Sequence, residues 1–253
     1  MTFFQNVWNI ITKYYVFLLR GVGYTLLLAL VGTLIGLLIG LLIGVFRTIP
    51  ESKHKAVRVL KKIADFILNA YIEIFRGTPM MVQAMVIYWG YAFASGGSTL
   101  PLIPSGIIIV SINTGAYMAE IVRGGIISID KGQFEGAHAV GMTHFQTMIH
   151  VVIPQVLRNI LPSVSNEFII NVKDTSVLNV IGVTELYFFA GKIYKLNLQM
   201  FETYLVVCII YFILTFTISR LLRFIEKKMD GSKNYTVFGS QSDPQAEIHV
   251  QEG

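Results

Sequence analysis

Residues 21–46, GVGYTLLLALVGTLIGLLIGLLIGVF, run for 26 positions without one charged side chain. At about 1.5 Å of rise per residue, a helix of that length exceeds the roughly 30 Å hydrocarbon core of a bilayer. The solvent that shapes this chain is therefore lipid. Further apolar runs follow at 80–94, 103–121, 154–180 and 205–222. The fold class they predict is all-α: a polytopic membrane protein with five transmembrane helices. Within the first run Gly32, Gly36, Gly40 and Gly44 recur at every fourth residue. Such a ridge of small residues lets a neighbouring helix approach closely, a packing role with no chemistry attached.

Composition agrees with a membrane solvent. Of the 253 residues, 54% are apolar and 14% charged, where a soluble domain carries about 25% charged residues. The formal charge of +5 would suit nucleic acid, but basic residues beside membrane spans account for it without any such partner. Cys208 is the single cysteine and sits in an apolar run, which excludes an internal disulfide or a cysteine-rich metal site. No removable signal peptide is expected, because about twenty mixed residues precede a first run too long for a signal core.

Charge then orients the spans. Residues 1–20 mix aromatics with Asn6, Asn9, Lys13 and Arg20, the pattern of an interfacial segment ahead of the first span. Arg47, Lys53, His54, Lys55, Arg58, Lys61 and Lys62 form one basic cluster, and Arg220, Arg223, Lys227 and Lys228 a second. Both belong on the cytoplasmic side. Residues 56–75 read as an amphipathic helix whose Lys62, Asp65, Asn69 and Glu73 make it a poor independent span. Four spans then separate the two clusters, so five spans with the amino terminus outside and the carboxyl terminus cytoplasmic is the consistent scheme. Residues 21–228 form the membrane domain, and 229–253, polar and aperiodic, a disordered cytoplasmic tail.

Polar groups inside spans are costly and point to function. In the third span Asn113, Tyr117 and Glu120 share one helix face by their spacing. Glu120 and Arg123, at i and i+3, are expected to form a structural ion pair. The fourth span carries Asn159, Ser163, Asn166, Glu167, Asn171 and Asp174 as a stripe at helical spacing, with Thr175 beside it. Lipid cannot tolerate that stripe. Two readings stay open: burial in a polar helix–helix interface, or the wall of a water-filled cavity. Substrate-binding candidates are Asn113, Tyr117, Asn166, Glu167, Asp174 and Thr175, with Arg76 a further donor if its helix turns inward. A zwitterionic ligand would need both the acceptors and the donors in this set. No catalytic residue or metal site is expected. The chain has no G-x-x-x-x-G-K-[ST] phosphate loop, and His138, His144 and His150 are spaced six apart, off any common face.

Between the third and fourth spans lies 133–154, QFEGAHAVGMTHFQTMIHVVIP. It is too polar to cross a membrane, and its small residues Gly136, Ala137, Ala139 and Gly141 offer a smooth surface that can bend at Gly141. In register it resembles the EAA loop of binding-protein-dependent ABC importer permeases: Glu135, Ala137 and Gly141, then Val151, Ile153 and Pro154, with Gly136 in place of the usual first alanine. The resemblance runs from about residue 21 to 228. It is strongest to permeases for polar amino acids, through Glu73-Ile-Phe-Arg76-Gly77-Thr78-Pro79 with Gln83, Gly115-Ala-Tyr117-Met-Ala-Glu120-Ile-Val-Arg123, Gly132-Gln133, and Lys173-Asp174-Thr175-Ser176.

The resemblance implies a permease subunit in a prokaryotic cell membrane, not an enzyme, that couples a translocation cavity to separate ATP-binding cassette ATPase subunits. Those subunits would hold ATP and Mg; this chain would hold no cofactor. Residues 133–154 would be a cytoplasmic coupling helix, with Glu135, Gly136, Ala137 and Gly141 as its ATPase-facing residues. A second permease chain, identical or a sister, and an extracellular amino-acid-binding protein complete the implied assembly. A secondary transporter driven by an ion gradient is the alternative, but no inverted repeat with matching broken helices is visible. A membrane scaffold without a transport path is opposed by the polar stripe.

Overall fold

The computed structural model describes residues 2–50 and 52–229. The proposed tail beyond them lies outside the described residues. Among the described residues the chain is helical, with no strand. Helix α1, Phe3–Thr48, spans 46 residues and departs from helical geometry at Tyr14 (φ −113°, ψ 15°). Two residues earlier the Thr12 hydroxyl donates to the carbonyls of Trp8 and Asn9, a competition that bends helices. The bend divides residues 3–13 from the long apolar run.

α2 (Lys55–Gly77) and α3 (Met80–Ala94) meet at Thr78-Pro79. Proline has no N–H, and its ring biases the preceding residue out of helical geometry, so α2 stops there; Thr78 is extended. α4 (Leu102–Ile127) is the central span. The 133–154 stretch divides into α5 (Lys131–Ala139), a turn, α6 (His144–Thr147) and a π-helical turn, Met148–Val152. That turn runs directly into α7 (Ile153–Asp174). A 3-10 segment, Thr175–Ile181, follows α7 and ends at Gly182. α8 (Leu186–Asn197) is bent 56° from the helices before it. The last helix is α9, Met200–Met229.

Three of these helices, α1, α4 and α9, are each long and apolar enough to cross a membrane, and the bent pair 144–181 with α8 makes a fourth candidate. α3 is apolar but only 15 residues, about 22 Å.

The glycine ridge of α1 lies against α4. A Cβ on Gly36 would stand 2.8 Å from Thr114 Cβ, and one on Gly40 2.6 Å from the Met118 carbonyl carbon and 2.8 Å from the Ala119 nitrogen. Gly32 and Gly44 press on Val110 and Val122 in the same way. The two backbones are therefore as near as helices can come, and dispersion over that contact holds the pair together where lipid supplies no hydrophobic drive. One polar node crosses the same seam. Asn171 Nδ2 donates to Thr33 Oγ1 (2.8 Å) and Thr114 Oγ1 (2.9 Å), and the Thr114 hydroxyl lies 3.2 Å from Asn171 Oδ1. All three residues are buried, so α1, α4 and α7 are fixed in mutual register by bonds that lipid cannot replace.

α8 packs on residues 10–18 of α1 and on α9 through Ile10, Tyr14, Leu18, Leu186, Ala190, Ile193, Val206 and Val207. Beyond that contact α9 leaves Phe212, Ile213, Phe216 and Leu221 exposed, a lipid-facing surface.

Candidate functional site

Phe75, Ile112 and Asn113 fix the depth of the site. Asn113 stands about 17 Å along the 26-residue α4, near its middle. Its Nδ2 donates to Gln83 Oε1 (2.9 Å) and points at the Phe75 carbonyl (3.4 Å), and the Tyr71 hydroxyl donates to Ile112 O at 2.5 Å. The end of α2 therefore reaches the middle of α4. α2 ends and α3 begins at this level, on either side of Thr78-Pro79.

One turn beyond Asn113, Tyr117 meets the tip of α2: the Arg76 guanidinium carbon lies 5.6 Å from its ring centroid, a cation–π contact. Across from it on α7, Glu167 is partly buried and within electrostatic reach of both Asp174 and Arg76. Arg76 of α2 and Tyr117 of α4 thus meet, while Glu167 of α7 lies within electrostatic reach of Arg76 and Asp174 stands two turns further along the same helix. Asn166, Lys173 and Asp174 are exposed on the same side of α7.

Other predicted residues turn elsewhere. Thr175 is fully buried and donates to Val172 O (3.2 Å), and the Asn113 amide nitrogen is committed within the fold as above. Asn171 belongs to the buried node, and Asn159 reaches Ser128 Oγ at 3.3 Å. The stripe read as one surface is thus divided. Asn159 and Asn171 bond outside α7, while Asn166, Glu167 and Asp174 form a polar face with no hydrogen bond to another helix among the described residues.

Glu120 receives Arg123 Nε (3.0 Å) and Nη2 (2.9 Å) on one oxygen and Arg47 Nη1 (3.2 Å) on the other. Sequence spacing pointed to Arg123. Arg47 joins because the close α1–α4 packing brings the end of α1 to the same level.

In the 133–154 stretch Glu135, Gly136 and Gly141 are exposed, whereas Ala137 is 6% exposed and turns into the chain's own core. Gly141 has φ +83°, a left-handed geometry that glycine adopts freely and most residues do not. The Asp130 side chain caps α5 through Gly132 N, and Thr143 with Gln146 forms a reciprocal cap on α6. His144 Nε2 lies 3.5 Å from Thr48 Oγ1, tying the stretch to the end of α1. Burial, and then the neighbouring His138, hold its pKa below the usual histidine value.

Gln83 entered the sequence reading only as part of a matching motif, and Glu185 had no role in it. Gln83 binds the α2–α3 break. Glu185, fully buried, accepts from Tyr187 N (2.8 Å), Phe188 N (2.7 Å) and the Tyr211 hydroxyl (2.8 Å), capping α8 and joining it to α9. Its signal was a lone acid opening an apolar segment, which spacing alone does not separate from an exposed cap. Among the described residues no group of three or more His, Cys, Asp or Glu is placed to hold a metal ion.

Comparisons with known proteins converge on one family. Residues 36–231 match the family model described as binding-protein-dependent transport system inner membrane component. The glutamine transport system permease protein GlnP of Escherichia coli (strain K12) is 38% identical over 167 residues, which is 66% of this chain and 76% of that protein. The L-cystine transport system permease protein TcyB of Bacillus subtilis (strain 168) is 39% identical over 166 residues, 65% of this chain and 70% of that one. Among solved structures, an amino acid ABC transporter with histidines superposes with a TM-score of 0.72 at 37% identity, covering 86% of this chain and 96% of that one. The inward-facing MetNI methionine ABC transporter shares the fold, with a TM-score of 0.63 at 20% identity, over 83% of this chain and 97% of that one.

Proposed function

Because this chain belongs to the family of binding-protein-dependent transport system inner membrane components, we propose that the face of α7 bearing Glu167 and Asp174, with Tyr117 and Arg76 opposite, lines the path of the transported amino acid. The chain is the permease subunit of an amino-acid ABC importer, a membrane component and not an enzyme; ATP hydrolysis belongs to a separate subunit. A free amino acid is a zwitterion. Glu167 and Asp174 offer acceptors to its ammonium group, and Arg76 with the Tyr117 hydroxyl offers donors to its carboxylate. Asn113 and Thr175 support these groups from behind, and Asn166 extends the polar face. The observation that carries this reading is the Arg76 guanidinium resting 5.6 Å from the Tyr117 ring centroid, together with the exposed Asn166, Lys173 and Asp174 of α7.

The same face argues for a second permease chain. Asn166, Lys173 and Asp174 are exposed on a helix that lies among apolar spans, and a lipid-exposed position would leave their charges and amides unsolvated. A second chain, identical or a sister, covers them and encloses water between the two.

Five crossings follow: α1 beyond its bend, α3 continuing the path of α2, α4, α7 with its 3-10 extension, and α9. The basic clusters place the 47–62 region and residues 227–228 in the cytoplasm. The amino terminus is then outside, where residues 3–13 and α8 pack together at the outer interface. α5 and α6 lie on the cytoplasmic side and dock into the ATPase subunits, which carry ATP and Mg. An extracellular binding protein delivers the amino acid. ATP-driven closure of the ATPase pair moves α5 and α6, and α7, continuous with α6 through the π-helical turn, carries that motion to the cavity.

The test is Glu167→Gln in the importer reconstituted with its ATPase and binding protein. A hydrogen bond to a charged group contributes about 1.5–3 kcal/mol, so its loss lowers uptake roughly ten- to a hundredfold. The loss should be larger for arginine, lysine and histidine than for glutamine, with assembly intact. Equal uptake of cationic and neutral amino acids at the unaltered rate would remove Glu167 from the path.

A further inference from the structure

We infer that Gln83 and Asn113 are positioning residues that latch the end of α2 to the middle of α4 and thereby hold Arg76 against Tyr117, where the amino-acid site requires it; the inference rests on the site proposed above. The end of a helix leaves its last carbonyls without intrahelical partners, and inside a membrane each must find a donor. At the end of α2 that donor is one side chain from the next helix. Gln83 Nε2 lies 2.9 Å from Phe75 O, 2.9 Å from Thr78 O and 2.9 Å from Thr78 Oγ1. Gln83 is 7% exposed, so water does not share the task.

The other end of the same amide is held as well. Gln83 Oε1 accepts from Asn113 Nδ2 at 2.9 Å, and that nitrogen also faces Phe75 O. Thr78 closes the knot by donating to Ile74 O at 2.7 Å. α2, α3 and α4 are thus tied at one point by two amide side chains whose donors are directed at named acceptors.

Arg76 follows Phe75 directly. With Phe75 fixed to Asn113 and the Arg76 guanidinium resting on Tyr117 one turn further along α4, the charge has two anchors on one face of one helix. Rotation or withdrawal of the α2 tip would break both together. Neither Gln83 nor Asn113 needs to touch the amino acid; each acts through Arg76. The latch also explains how α2, with too many charges for a span of its own, ends in the middle of the membrane. Its broken end is satisfied by Gln83, and α3 completes the crossing.

The experiment is equilibrium binding of labelled arginine and labelled glutamine to the purified permease–ATPase complex, comparing Gln83→Leu, Arg76→Gln and the double variant. Each single change should weaken binding roughly tenfold, the loss of one charge-assisted bond. The double variant should bind no more weakly than Arg76→Gln alone, because coupled residues are not additive. A double variant weakened by the product of the two single effects would overturn the latch, showing that Gln83 acts independently of Arg76. Unaltered binding in Arg76→Gln beside weakened binding in Glu167→Gln would also overturn it while leaving the site in place. Unaltered binding in both would remove the site itself. If Gln83→Leu does not assemble, Thr78→Val, at an exposed residue, removes one arm of the knot and carries the same comparison with Arg76→Gln.

Discussion

The Gly40→Leu variant is expected to lose most of its folded population in the membrane, with the melting temperature of the purified complex falling accordingly. A Cβ at position 40 would meet the Met118 carbonyl carbon at 2.6 Å and the Ala119 nitrogen at 2.8 Å. These are backbone atoms of α4, so no rotamer change relieves the clash; the helices themselves must part. Overpacking typically costs about 1–3 kcal/mol where side chains can yield, and here the upper end of that range is the starting point. Separation would also pull Arg47 from Glu120 and strain Asn171, whose amide on α7 bridges Thr33 of α1 and Thr114 of α4. Gly23→Leu is the control. It lies on the same helix, and a Cβ there meets nothing within 4 Å, so its melting temperature should stay at the parent value. Equal behaviour of the two variants would mean that close approach of α1 to α4 does not hold the fold.

The second large effect is expected at Gly136. It sits within α5, is exposed, and a Cβ there meets nothing within 4 Å. Gly136→Trp therefore disturbs nothing inside this chain, and any loss reports on a partner. If α5 docks into an ATPase groove, the indole blocks it. Central interface positions are worth about 2 kcal/mol or more, so stimulation of ATP hydrolysis by substrate-loaded binding protein should fall roughly thirtyfold or further. The protein should remain in the membrane at normal levels. Gly141 is a less clean probe, because its φ of +83° makes any larger residue strain the turn as well as fill the groove. Gly141→Asn, which tolerates that geometry better than other residues, should keep most of the coupling. Full stimulation in Gly136→Trp would move the docking surface away from α5.

The long apolar helices α1, α4 and α9 were legible in the sequence because lipid imposes a length and forbids charge. The apolar run 80–94 coincides with α3, and the glycine period of α1 marked a close contact whose partner proved to be α4. Residues 56–75 were legible as amphipathic but not as a helix whose end is held at the middle of α4. What decides that is the Gln83 bond to Phe75 O, and a lone glutamine in an apolar helix does not announce which carbonyl it serves. The polar stripe of α7 was visible as a period, yet a period cannot tell Asn171, which bonds Thr33 and Thr114, from Asn166, which faces outward. Ala137 shows the same limit: smallness suggested a contact surface, while within α5 that residue is buried against its own chain. Arg47 could not be assigned to Glu120 from spacing, since 73 residues separate them. Tyr117 and Glu167 were singled out by being polar inside a span and Arg76 as a donor that its helix could turn inward; only tertiary packing brings Arg76 onto the Tyr117 ring.

The most direct measurement is uptake of labelled polar amino acids into proteoliposomes containing this chain, the ATPase that copurifies with it and the binding protein. Uptake should require ATP on the ATPase side and persist when ionophores abolish every ion gradient. Uptake that proceeds without ATP and collapses with an imposed proton or sodium gradient would contradict the account and identify the chain as an ion-coupled transporter.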